Sequence, residues 1–88
     1  MALNATVRIS NPKGMHARPS HAFVSMALEF EARVRVSCNG TEVDGKSILE
    51  LMTLGAACEE RLDLVVEGPD EELALRALVG LVERGFGE

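Results

Sequence analysis

His16 and Arg18 stand in the run Gly14-Met15-His16-Ala17-Arg18-Pro19-Ser20, where an alternating segment gives way to a helical one. An imidazole at such a junction faces a place suited to holding phosphate. The first N–H groups of a helix have no partner within it, and the helix dipole adds partial positive charge there. A phosphoryl group on His16 therefore meets ready-made donors, beginning with the backbone N–H of Ala17. Arg18 adds a fixed cation whose guanidinium forks onto phosphate oxygens. Pro19 fits the first turn because the N–H it lacks would have been an orphan.

Imidazole suits reversible phosphoryl transfer. A neutral ring nitrogen is nucleophilic near its ordinary pKa of ~6.5, and the phosphoramidate it forms remains a good donor, whereas a serine ester is too stable to pass on. Transfer itself asks the protein for positioning and charge neutralisation more than for covalent help. A lone histidine is ordinarily a loop or cap residue and a neighbouring arginine an ordinary surface cation. The context of Gly14, Ala17 and Pro19 sets this pair apart. Gly14 is read as a residue with an unusual backbone angle ahead of the site. Lys13 is either an electrostatic helper or a solvated charge. His21 lies five residues beyond His16, not the four of a helix-borne metal pair, so no metal site is expected, and it is read as an exposed helix residue touching partners.

A second segment, Gly45-Lys46-Ser47-Ile48-Leu49-Glu50-Leu51-Met52-Thr53-Leu54-Gly55, follows downstream, and the chain closes on Gly85-Phe86-Gly87-Glu88. Together with Gly14, His16, Ala17, Arg18 and Pro19, these segments resemble the HPr family, the histidine-containing phosphocarriers of the bacterial sugar phosphotransferase system. The resemblance covers essentially the whole chain. It implies phosphorylation on Nδ1 of His16, with enzyme I as donor and enzyme IIA domains as acceptors, and a carrier that is a substrate of transferases rather than an enzyme. Ser47 falls where many HPr proteins carry a serine modified by a dedicated kinase, HPr kinase/phosphorylase. The family's docking region corresponds to Leu49 and Met52. Ile48 lies about a helical turn from Met52, and these residues with Met15 are expected to form an apolar patch beside His16. Ser20 is assigned to the same partner surface. Lys13 departs from the small polar residue frequent there in the family.

The elements that must position these residues follow from periodicity. Leu3, Ala5, Val7 and Ile9 alternate with polar residues, which predicts a half-buried strand ending near Ser10. Asn11-Pro12-Lys13-Gly14 is turn chemistry. Ala22, Phe23, Met26, Ala27 and Phe30 then recur at helical spacing, predicting a helix from about Ala17 to about Glu29. Val34 and Val36 mark a second strand, and Asn39-Gly40 a tight hairpin into a short strand through Val43. Ser47 with Glu50 makes a capping box for a short helix closing before Gly55. Leu62, Leu64 and Val66 define a last strand. Asp70 is read as the cap of a final helix with Leu73, Ala74, Ala77, Leu78, Leu81 and Val82 along its apolar stripe. The order βαββαβα predicts an α+β fold, an open-faced β-sandwich with a four-stranded antiparallel sheet and three helices on one face, in a single domain spanning 1–88. A monomer suits sequential docking.

Composition narrows the function. The net charge is −5, and the nine Lys and Arg are dispersed, which argues against nucleic acid. With no Trp or Tyr there is little to stack bases on. No apolar run approaches the ~20 residues that span a bilayer, and the start lacks a signal peptide's regions, so a cytoplasmic protein is expected. Cys38 and Cys58 are far apart and read as reduced, buried thiols. No cofactor is implied. Two further readings stay open: a regulatory module acting through phosphorylated His16 or Ser47, and a small-molecule-binding α+β domain, which leaves the His16 motif unexplained.

Overall fold

The computed structural model describes residues 2–87; Met1 and Glu88, the last residue of the closing motif, lie outside the described residues. Strands β1 (Leu3–Arg8), β2 (Arg33–Cys38), β3 (Thr41–Asp44) and β4 (Arg61–Glu67) alternate with helices α1 (Ala17–Ala27), α2 (Ile48–Thr53) and α3 (Glu71–Glu83) in the order βαββαβα, and a 3-10 turn at Gly85–Gly87 follows. The sheet runs β1-β4-β2-β3, and every pairing is antiparallel.

Register sorts the strand residues into two faces. Ala5, Leu64, Val36 and Val43 lie in one row across the sheet, and the row beside it joins Asn4, Val65, Arg35 and Asp44. The first row belongs to the core, with Leu64 and Val36 fully buried. The second faces away from the helices and is largely polar, and on the same face Thr6 Oγ1 donates to Asp63 at 2.6 Å. One face is therefore covered and the other open, as the alternation dictates. The Asn39-Gly40 turn has φ of 51° and 85°, the left-handed pair that a two-residue hairpin requires.

Three local expectations are corrected. The first helix ends at Ala27 rather than Glu29, because the bonds tighten to a three-residue span, with Glu29 N–H donating to Met26 O and Phe30 N–H to Ala27 O. Asp70 precedes α3 without capping it through its side chain. Its carboxylate instead accepts the N–H groups of Glu31 and Ala32, each at 2.9 Å, and so ties the start of α3 to the entry of β2. Leu73 leaves the apolar stripe: the buried line runs Ala74, Leu78, Leu81 and Val82, and Leu73, one residue off it, is 63% exposed.

Candidate functional site

The segment from β1 to α1 is pinned at Ile9, Asn11, Gly14, Met15 and His16. Ile9 continues the pairing beyond Arg8, its N–H donating to Glu60 O at 2.9 Å and its carbonyl accepting from Glu59 N–H at 2.8 Å. Asn11, 3% exposed, donates from its side-chain amide to Gly14 O at 2.7 Å, and its own carbonyl accepts from Gly14 N–H at 3.1 Å. Gly14 has φ of +67°, and a Cβ there would stand 2.4 Å from the carbonyl oxygen of Ala56. Only glycine fits both the angle and the approach. The next peptide uses that proximity, with Met15 N–H donating to Ala56 O at 2.9 Å. The Ala56–Ala57 backbone thus lies directly against the loop that leads into His16, a contact that sequence reasoning did not reach. Gly14 was its one signal, since a glycine ahead of a fixed loop can mark a close approach as well as a turn.

His16 is the N-cap residue of α1, with extended φ and ψ of −88° and −167°, and its side chain does not cap the helix. Its N–H turns back to Gly14 O at 3.0 Å, and its carbonyl accepts from Ser20 N–H at 3.1 Å, opening the helix. The N–H groups of Ala17 and Arg18, first in the helix, have no carbonyl within it to bond. Ala17 and Arg18 are exposed, His16 is half-buried, and Pro19 is buried in the first turn. Among the described residues Arg18 makes no ion pair. His16, Ala17 and Arg18, joined by Pro12 and Lys13, line an open concavity of about 490 Å³. The first turn of α1 carries no acidic residue that would oppose an anion. An imidazole, a guanidinium, an ammonium and the first N–H groups of α1 around one open space can hold a phosphoryl group and present it outward.

Two residues assigned to a partner surface are turned inward. Met15 is 4% exposed, because the extended backbone that lifts His16 outward sends its neighbour toward the core. Ser20 is fully buried, on the α1 face that also buries Phe23, Val24 and Ala27. Its hydroxyl finds no partner among the described residues. His21 is exposed, as expected.

The second motif stands apart from this concavity but on a neighbouring element, since α2 packs against α1. Ser47 is the N-cap of α2 and accepts from Glu50 N–H at 3.2 Å. The reciprocal half of the capping box goes elsewhere: Glu50 Oε1 accepts from Asp44 N–H at 3.0 Å, while Ser47 N–H donates to Asp44 O. Lys46, next to Ser47, donates its Nζ to Phe30 O at 2.7 Å. Leu49 is 78% and Met52 43% exposed, and Ile48 is half-buried against the core. Of the cysteines, Cys38 is buried but Cys58 only partly so, its thiol reaching toward Ser10 O at 3.8 Å. Among the described residues no cluster of His, Cys, Asp and Glu is set to hold a metal ion, and no helix is long and apolar enough to cross a membrane.

Residues 3–84 match the family described as PTS HPr component phosphorylation site. The chain is 42% identical over 86 residues to phosphocarrier protein HPr of Neisseria meningitidis serogroup A, covering 98% of this chain and 97% of that one. It is 36% identical over 89 residues to phosphocarrier protein NPr of Escherichia coli K12, covering 100% and 99%. The crystal structure of HPr-C-His from Thermoanaerobacter tengcongensis superposes with a TM-score of 0.93 at 41% identity, over 98% of this chain and 97% of that one. With the fold, the motif and the full-length similarity in agreement, the chain belongs to the HPr family of phosphotransferase-system phosphocarriers.

Proposed function

We propose that the protein takes a phosphoryl group onto Nδ1 of His16 from phosphorylated enzyme I and hands it to a histidine of an enzyme IIA domain. In each step one P–N bond breaks as another forms, and no other reactant is consumed. The protein is then a substrate of phosphotransferases, working as a cytoplasmic monomer whose residues 1–88 act as one domain, without nucleic acid or membrane insertion. The observation that carries this reading is His16 at the N-cap of α1, its imidazole not spent on capping, in one concavity with Arg18 and Lys13. Arg18 and the Ala17 N–H offset the charge of the bound phosphoryl group. Leu49, Met52, the exposed edge of Ile48 and His21 are the partner surface in this reading.

Incubation with enzyme I, magnesium and phosphoenolpyruvate, followed by intact mass and phosphorus NMR, tests the carrier step. Acid-labile phosphate is expected on the wild type and none on His16→Ala. Equal labelling of the variant would remove His16 from its role.

A second reading makes the chain mainly regulatory, acting through phosphorylated His16 or Ser47. It rests on the Ser47 hydroxyl, partly exposed at the start of α2, where a phosphate is tolerated by the helix end. HPr kinase/phosphorylase would be the partner. Acid-stable phosphate after incubation with that kinase and ATP, lost in Ser47→Ala, is its expected signature.

A further inference from the structure

We infer that Asn11 is a positioning residue for His16, an inference that rests on the carrier reading above for its functional meaning. Asn11 grips Gly14 from both sides: its side-chain amide donates to Gly14 O at 2.7 Å, and its carbonyl accepts Gly14 N–H at 3.1 Å. Gly14 O in turn accepts the N–H of His16 at 3.0 Å. Two hydrogen bonds therefore connect a side chain that is 3% exposed to the backbone of the residue bearing the reactive imidazole. Burial removes competing water, so these bonds act in a medium where they are strong and costly to break.

Because His16 N–H is turned back onto Gly14, it does not point into the concavity, and the Ala17 and Arg18 N–H groups are the ones at the start of α1. Asn11 thereby sets both the height of the imidazole and the composition of the donor set. Gly14 at φ of +67° has wide freedom of its own, so the grip must come from outside it. A carboxamide is suited to this: an aspartate of the same shape offers no N–H, and an alanine offers nothing. Misplacing a reacting group by about an ångström lowers transfer rates by up to about a hundredfold.

The test uses the whole chain with Asn11→Ala and, as a milder change, Asn11→Ser. Initial rates of phosphorylation by enzyme I, measured across carrier concentration, are expected to fall on the order of tenfold in kcat for Asn11→Ala with KM unchanged, because the docking surface is untouched. Amide hydrogen exchange is the second readout. His16 N–H is expected to exchange on the order of ten times faster in Asn11→Ala, while the Leu64 and Val36 amides in the sheet stay at wild-type rates. Unchanged kcat and unchanged His16 exchange in a folded variant would overturn the inference. So would acceleration of the sheet amides alongside His16, or failure of both variants to fold, each of which makes Asn11 a general stability residue. Absence of labelling on the wild type defeats the carrier reading instead, and His16 exchange then still decides whether Asn11 holds that backbone.

Discussion

Ser20 and Gly14 are two small residues with opposite energetic signs. The Ser20 hydroxyl is fully buried and finds no partner among the described residues, so it carries a desolvation cost with no hydrogen bond to offset it. Ser20→Ala is expected to raise unfolding free energy by about 1 kcal/mol, measured by urea denaturation; a loss of stability would mean the hydroxyl has a partner in solution. Gly14→Ala is expected to cost about 3 kcal/mol, combining an unfavourable φ of +67° with a Cβ placed 2.4 Å from Ala56 O. The same variant should slow labelling of His16, because the strain is relieved by moving the loop that carries it. A Gly14→Ala protein with wild-type midpoint and labelling rate would contradict both statements.

At the level of elements, the helix ends divide the labour. The start of α1 is left without a side-chain cap and without an acidic first turn, which costs stability and keeps donors available. The start of α2 is closed by Ser47 and Glu50, the serine oxygen meeting Glu50 N–H and the carboxylate meeting Asp44 N–H. Ser47→Ala should therefore destabilise the protein by about 1 kcal/mol whether or not any kinase acts on it. Ser47→Asp should recover most of that loss, since a carboxylate accepts the same N–H and suits the helix dipole. Equal stability of wild type and Ser47→Ala in thermal unfolding would show that the cap contributes nothing.

For the whole molecule, the tie between α3 and β2 makes folding sensitive to acid. The two backbone bonds from Glu31 and Ala32 outweigh partial desolvation and hold the Asp70 carboxyl below its ordinary value of 3.8, with Lys46 helping. A depressed carboxyl stabilises the fold above its unfolded pKa, and the contribution disappears as pH falls through the folded one. Asp70→Asn should therefore lower the melting temperature at pH 7, and the gap from wild type should close as both are taken below pH ~4. A gap that persists unchanged into acid would refute the assignment. Cys38 acts in the opposite window: burial, then Glu60 and Asp63, push its thiol above 9.0, so its contribution is complete below that value and is lost at higher pH.

The order of elements, the hairpin at Asn39-Gly40, the two faces of the sheet and the pairing of His16 with Arg18 at a helix start were all determined by the sequence. Each depends on neighbours in the chain or on a period of two or 3.6 residues, and those constraints are local. Tertiary structure decided what periodicity cannot weigh. Met15 and Ser20 went inward because the core needed their positions filled. Asp70 gave up capping α3 because two N–H groups at Glu31 and Ala32 came within reach of its carboxylate. The Ala56 backbone became the floor beneath Gly14 because the end of α2 and the start of β4 return to the edge where β1 stops. Contacts between residues distant in the chain depend on how the helices seat on the sheet, and that seating is a property of packing rather than of any one segment.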